Sequence, residues 1–295
     1  MKGILLAGGL GKRLMPATIA LSKQLIPIYD KPMIYYPLSI LMLAGIRDIA
    51  LISTPQDLPA YQNLFGSGEQ LGLKFTYIEQ KEPKGIAQAF LLAQDFIANE
   101  PCCLILGDNI FHGRELGALL PKPDIKMQGA QIYAYHVKDP QNYGVVQFDK
   151  NFKPLSLEEK PQNPKTRWAV TGLYFYDDKA VSYAKELKPS PRGELEITDL
   201  NRRYQREHTL KVQPLGRGIA WLDTGTHEGL TEASTFIQVL EKRQGLKIAC
   251  LEAIAYKNKW IDKKTLLEAA VRMEKSDYGQ YLAGVAREEE GYAIY

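Results

Sequence analysis

Short apolar runs at residues 3–7, 49–53, 75–78 and 102–106 punctuate the first third of the chain, bounded by Gly, Pro or Asp. Runs of this length and continuity predict strands buried on both faces of a sheet. Between them lie helical patterns at 33–44, 58–65 and 86–97. The last sets Ile86, Ala89, Phe90, Ala93 and Ile97 on one helical face. Strand, helix and strand joined by short connections predict a mostly parallel sheet covered on both sides. From about residue 130 the pattern changes. Residues 131–137, 144–149, 156–159 and 170–176 are strand-like and separated by turn residues such as Asp139-Pro140, which predicts a mixed or antiparallel region. Helices are expected again at 194–206, after the Ser190-Pro191-Arg192-Gly193 turn, and at 228–242. Beyond that, the chain has a helical pattern at 263–275 and an acidic end at Glu288-Glu289-Glu290. This divides the sequence into a body, 1–242, and a C-terminal helical segment, 243–295.

Length and composition narrow the classes of function. A chain of 295 residues with 45% hydrophobic and 24% charged positions is ordinary globular protein, able to build a core without metal or disulfide. The 37 Lys and Arg against 34 Asp and Glu leave +3, too even for a nucleic-acid wrapper but no obstacle to a small anionic ligand. Three Cys, two of them adjacent, and four scattered His make neither a disulfide framework nor a zinc site. The run at Ile4-Leu5-Leu6 is too short for a secretory leader, and the apolar segment 34–44 is broken by Pro37 and Ser39. A soluble, cytoplasmic protein is expected, with no membrane partner.

Candidate chemistry gathers in four places. Gly8-Gly9-Leu10-Gly11-Lys12-Arg13 follows the first strand, and Lys23 stands ten residues after Arg13. Glycines at that position let backbone N–H groups approach a phosphate chain, Arg13 offers a bidentate fork and Lys23 a point charge. The glycines alone fit a tight strand-to-helix turn equally well. Leu14 stands where a dinucleotide fingerprint needs its last Gly, and Arg13 follows Lys12 where a P-loop needs Ser or Thr. Leu106-Gly107-Asp108-Asn109 puts a carboxylate just beyond a buried strand, where open α/β sheets bind ligands. A carboxylate beside phosphate implies a cation between them, here Mg²⁺; Asp108 as the N-cap of a following helix is the bland alternative. Trp221-Leu222-Asp223-Thr224-Gly225 supplies a second acid, and two Asp without His or Cys make a hard oxygen site. Glu158-Glu159-Lys160, preceded by Tyr143-Gly144, is either a solvated strand-end pair or a holder of a sugar and its attached anion. His227 is read as structural, and Tyr35, Tyr36, Tyr174 and Tyr176 as packing.

These motifs, in this order, resemble the sugar-1-phosphate nucleotidylyltransferases. The stretches 23–45, 193–199 and 243–247, with Tyr278-Gly279-Gln280-Tyr281-Leu282, are similar to the thymidylyl-transferring branch of that family. The resemblance implies an α/β fold with a single Rossmann-like open mixed, mainly parallel sheet flanked by helices. It implies a Mg²⁺-dependent reaction of dTTP with glucose 1-phosphate, giving dTDP-glucose and pyrophosphate on a route to dTDP-rhamnose-type deoxysugars. Gly8, Gly9, Gly11 and Arg13 would hold the triphosphate, with Lys23 near the reacting phosphates; Gln24 would also contact the nucleotide, and Gln80 and Gly85 would meet the base. Asp108 and Asp223 would hold the metal, with Asp108 also counted among the nucleotide contacts. Asn109, Gly144, Glu159, Lys160 and Val170 would hold the sugar phosphate, and Arg13, Lys23 and Lys160 would carry the catalytic charge. A homotetramer and feedback by a nucleotide sugar are also implied. Lys12 departs from the family pattern, which has Thr or Ser there; this removes a hydroxyl from the loop and adds a cation. A UTP-using enzyme, or one acting on another sugar phosphate, and a catalytically silent nucleotide-sugar sensor are the competing readings.

Overall fold

A computed structural model describes residues 1–9, 11–124 and 126–287. Leu10 of the glycine loop and the acidic run at Glu288, Glu289 and Glu290 lie outside the described residues. The strands are β1 (Lys2–Leu6), β2 (Pro27–Ile28), β3 (Lys31–Pro32), β4 (Asp48–Ser53), β5 (Lys74–Glu79), β6 (Cys102–Leu106), β7 (Asn109–His112), β8 (Ala130–His136), β9 (Gly144–Phe148), β10 (Pro154–Glu159), β11 (Trp168–Tyr176), β12 (Leu210–Pro214) and β13 (Ala220–Asp223).

Nine of these form one sheet in the order β10-β9-β11-β6-β1-β4-β5, with β8 on β11 and β12 beyond it. Pairing is parallel through β6-β1-β4-β5 and antiparallel where β11 meets β6, β8 and β9. The open mixed sheet flanked by helices that the sequence predicts is therefore present. Two ribbons stand apart from it, β2 with β3 and β7 with β13.

Side chains of a strand alternate between faces, and the core divides accordingly. Leu5, Ile49, Leu51, Cys103, Ile105, Leu173 and Phe175 are buried on one face. Ile4, Ala50, Ile52, Cys102, Leu104, Tyr174 and Tyr176 are buried on the other. The helix Tyr35–Leu43 is apolar on nearly every side and buried from Tyr36 to Met42. Such a helix needs cover on both flanks. It packs on β6 and β7 beneath and on the helix Leu251–Lys257 above. Leu251, Ile254, Leu266, Ala269, Tyr278 and Leu282 of the C-terminal helices thus join the first face of the core. Among the described residues no helix is long and apolar enough to cross a membrane.

Several boundaries differ from the sequence pattern. The helix expected at 86–97 forms as Gln88–Leu92 and Gln94–Ile97, parted at Ala93, where φ is −94° and ψ 12°. The helix expected from 194 begins at Ile197, because Glu196 is extended and Leu195 is bonded to another loop: its N–H donates to Lys84 O at 2.7 Å and its O accepts from Ala87 N at 3.1 Å. Strands β7, β12 and β13 and the helices Ala180–Glu186 and Leu251–Lys257 are short and carry little periodicity, whereas Asp277–Arg287, not anticipated either, buries Tyr278, Leu282 and Ala286 at four-residue spacing.

A buried ion cluster ties the β2–β3 ribbon to the long helix His227–Gln244. Lys31 and Glu241 side chains are each 2% exposed and 2.9 Å apart. Glu241 also accepts from Lys247 Nζ at 3.0 Å and Ile248 N at 2.9 Å, and the Lys31 ammonium lies over the Tyr36 ring. Removing Glu241 leaves the two ammoniums of Lys31 and Lys247 sharing the single carboxylate of Asp30, so one positive charge goes uncompensated. We predict that Glu241→Ala lowers unfolding free energy by about 3–5 kcal/mol, read by urea denaturation; a loss below about 1 kcal/mol, the scale of a surface pair, contradicts this assignment.

Candidate functional site

The parallel strands β1, β4, β5 and β6 end at one sheet edge, and the loops leaving that edge carry most of the predicted residues. After β1, Ala7 N–H still bonds Ile52 O at 2.8 Å, so Gly8 is held tightly against its neighbours. A Cβ on Gly8 would collide with Gln80 Oε1. Gly8 and Gln80, drawn from different stretches of sequence, are therefore brought into contact. Gln80 is buried, and its Nε2 donates to Gln88 Oε1 at 2.9 Å. Gly9 and Gly11 have φ of +108° and +55°, backbone that L side chains rarely adopt. Thr18 Oγ1 donates to Gly11 O at 2.9 Å and closes the loop on itself. Arg13 sits in the short turn Lys12–Leu14, anchored by buried Leu14. Its guanidinium reaches the turn after β13, where a Cβ on Gly225 would lie 3.3 Å from Nη2. Gly85, with φ +99°, packs its Cα on the Leu195 backbone. The segment around Gly85 and the 190–196 loop are bonded together through Leu195, to Lys84 O and Ala87 N.

The two acids meet through the β7–β13 ribbon. Gly107 N–H bonds Leu6 O at 2.8 Å, and a Cβ there would lie 2.9 Å from Gln24 Cγ, so the chain turns tightly off β6 into Asp108. No helix follows Asp108; β7 does, which excludes the N-cap role. Asn109 pairs with Asp223 across the ribbon, and Thr224 Oγ1 donates to Asp108 O at 2.8 Å. Lys23 Nζ lies 2.5 Å from Asp108 Oδ2, while Asn109 Nδ2 donates to Asp108 Oδ1 at 3.0 Å. Burial opposes ionisation of Asp108, but Lys23 and the Asn109 bond outweigh it and hold its pKa below the usual carboxylate value. Asp223 goes the other way: burial and the Asp108 charge raise its pKa, with Lys23 and Arg13 opposing. The site thus has negative charge that its two cations only just balance.

A cavity of about 720 Å³ opens beside these acids. Its lining includes Arg13, Asp108, Asn109, Asp223, Gly144, Glu159, Lys160 and Val170, with Tyr174 and Trp221, whereas Gly9 and Lys23 line a separate cavity of about 330 Å³. Glu159 is held from two sides, by Thr198 Oγ1 donating at 2.5 Å and Arg192 Nη2 at 3.2 Å. Arg192 in turn donates to both oxygens of Glu196 at 2.9 Å. Gly144 leaves the space this needs, since a Cβ would lie 2.9 Å from Thr198 Oγ1. Lys160, at φ +41°, donates its N–H to Tyr143 O at 3.1 Å. Burial pushes the Tyr143 phenol up to about 12, with Asp223 adding to the rise and Arg13 opposing it.

Gln24 stands apart from the other expected residues. It is buried behind the site, where its Oε1 accepts from Ser22 Oγ at 2.9 Å, and Ser22 Oγ is 2.8 Å from Tyr61 Oη. Asn109 lines the cavity, but its side chain is taken up as a brace: Oδ1 accepts from Gly172 N at 2.9 Å and from Trp221 Nε1 at 2.7 Å. Sequence reasoning missed Arg192, Thr198, Trp221 and Tyr143 as parts of the site. The available signal was an Arg in a Pro-Gly turn beside Glu194 and Glu196, an odd concentration of charge for a plain turn.

A mixed α/β sheet with a glycine loop at one strand end, paired acids and an adjoining polar cavity defines a phosphate-handling transferase rather than a binding scaffold. Residues 2–239 match the family model for nucleotidyl transferases, and the chain belongs to that family. It is 57% identical over 282 residues to a glucose-1-phosphate thymidylyltransferase of Neisseria gonorrhoeae, covering 96% of this chain and 98% of that one. A protein of the same name from Mycobacterium tuberculosis is 50% identical over 282 residues, with the same coverage. A solved Bacillus anthracis chain in complex with a sucrose superposes with TM-score 0.73 at 41% identity, covering 80% of this chain and 94% of that one. A UDP-glucose pyrophosphorylase with UDP-glucose bound, 24% identical and TM-score 0.70, shares the fold.

The Asn109 brace makes a testable statement about the site floor. Asn109→Leu leaves the buried Trp221 Nε1–H and Gly172 N–H without an acceptor, and each unsatisfied donor costs about 1–3 kcal/mol. We predict a stability loss of at least about 2 kcal/mol in urea denaturation; an unchanged midpoint contradicts the brace.

Proposed function

We propose that this chain transfers a thymidylyl group from dTTP to glucose 1-phosphate, giving dTDP-glucose and pyrophosphate. The observation that carries the reading is that Arg13, Asp108, Asp223, Glu159 and Lys160 line one cavity, with Lys23 held on Asp108. The near-full-length identity to the thymidylyltransferases supports it.

The attacking atom is an oxygen of the sugar phosphate, whose second pKa is about 6, so it is mostly dianionic at neutral pH. It needs no general base. The difficulty is bringing two anions into line and stabilising the charge that builds at the α-phosphorus. In the proposed arrangement the glycine-loop N–H groups and Arg13 hold the triphosphate, and Lys23 stands at the reacting phosphates. Lys160 holds the phosphate of the sugar. Glu159 accepts from sugar hydroxyls, since Thr198 and Arg192 occupy only part of its acceptor capacity. Gln80 presents an amide edge that matches thymine and equally uracil; its orientation is set by Gln88.

Asp108 and Asp223 fit Mg²⁺. They are hard oxygen donors close enough for the charge of Asp108 to raise the Asp223 pKa, and one or two carboxylates completed by substrate phosphates is the usual magnesium set. Bound there, Mg²⁺ would supply charge neutralisation on the phosphates. The proposal extends to a cytoplasmic homotetramer under nucleotide-sugar feedback on a deoxysugar route, supported by the same resemblance.

Incubation with Mg²⁺, dTTP and glucose 1-phosphate should release pyrophosphate, with UTP run alongside; no release with any divalent metal contradicts the reading. Asp108→Asn and Asp223→Asn should each lower kcat on the order of 10²–10³-fold, and values within a few-fold of the unmodified enzyme remove the metal assignment. Lys160→Ala should raise KM for glucose 1-phosphate more than for dTTP; equal effects on both argue against its place at the sugar phosphate.

A further inference from the structure

The lysine that would serve the phosphates is not poised towards open space. Lys23 is 8% exposed, and its ammonium is committed to Asp108 at 2.5 Å. Its backbone has little freedom to release it. Both neighbours are buried: Ser22 bonds Gln24 Oε1 and Tyr61 Oη, and Gln24 packs against Gly107, the residue before Asp108. The knot of Ser22, Gln24 and Tyr61 therefore fixes the lysine and the carboxylate relative to each other from behind.

The charges around this pair also matter. Asp108 and Asp223 carry two negative charges, and Lys23 and Arg13 bring two positive ones. A divalent cation entering alone would meet a neutral cluster and would have to displace an ammonium from one of its own ligands. A triphosphate entering with it reverses that balance. It brings negative oxygens that can accept the Lys23 ammonium, and so frees Asp108.

We infer that Lys23 is a latch on the metal site: in the free protein its ammonium occupies Asp108 in place of a divalent cation, and it hands the carboxylate over only when nucleotide phosphates draw it away. This rests on the proposed assignment of Asp108 and Asp223 to the metal. The latch makes metal entry dependent on the nucleotide. A lysine in such a role weakens metal affinity in the free protein, whereas a lysine that merely binds phosphate leaves it unchanged.

The test is direct metal binding to the full chain, not turnover. Mn²⁺ is titrated at about pH 8, where model carboxylates are ionised, and free Mn²⁺ is read by its electron paramagnetic resonance signal. The titration is run with and without a non-hydrolysable dTTP analogue. Lys23→Met keeps the volume and removes the charge; Lys23→Gln is the second variant, and both are checked for an unchanged fold by circular dichroism. Without nucleotide, both variants should bind Mn²⁺ about tenfold tighter than the unmodified chain, within the usual range of coupling between sites. With the analogue at saturation that advantage should disappear. Equal or weaker Mn²⁺ binding by the variants in the absence of nucleotide overturns the latch. Mn²⁺ affinity untouched by Asp108→Asn and Asp223→Asn overturns the metal assignment beneath it, so the two failures are told apart.

Discussion

The contact between Lys23 and Asp108 is the point on which the rest of the site depends. It exists because β1 and β6 are adjacent and parallel in register, with Leu6 opposite Leu106, so that both chains leave the sheet at one level. From there one chain runs through the glycine loop back to Lys23, and the other turns at Gly107 into Asp108. The turn is tight enough that Gln24 and the Leu6 carbonyl fill the space a side chain would need. A sheet built in another order would separate these two groups, and no local change in either loop could rejoin them.

Around that pair the molecule manages charge instead of supplying a nucleophile. Asp108 is held ionised by its lysine and its asparagine, whereas Asp223, buried and facing Asp108, is pushed towards its protonated form. Arg13 crosses from the glycine loop to the Asp223 turn and moderates that tension. Glu159, which also lines the cavity, is fixed by Arg192 and by Thr198 of the helix Ile197–Arg206, on either side of Leu195, whose backbone is bonded to Lys84 and Ala87. The parts proposed to hold base, phosphates and sugar are therefore linked by backbone hydrogen bonds and ion pairs. The three cysteines are buried among apolar side chains, and burial drives their thiols up, so none is a reactive thiolate.

Much of this was legible in the sequence, for identifiable reasons. Strands buried on both faces leave continuous apolar runs, as β1, β4 and β6 do; β5, at the sheet edge, is buried only at Phe75. Asp108 and Asp223 were visible because an acid directly after an apolar run is conspicuous. What escaped notice depends on tertiary contact. Leu195 looks helical until its backbone is seen bonded to Lys84 and Ala87. The buried bonds of two expected contacts also needed the tertiary structure: Gln24 Oε1 accepts from Ser22, and Asn109 Oδ1 from Gly172 and Trp221. Arg192 gave a signal only as charge in a turn, and its partner Glu159 lies 33 residues away. The C-terminal helices read as an appendage because their apolar faces are narrow, although they complete one face of the core.

The central claim is that this site lets one phosphate attack another directly and contributes charge, not a covalent intermediate. The stereochemical course at the α-phosphorus tests that most directly. With dTTP made chiral there by a single sulfur substitution, one in-line displacement predicts a dTDP-glucose thiophosphate of inverted configuration. Retention would require two displacements through a side chain of the protein, and would contradict the account.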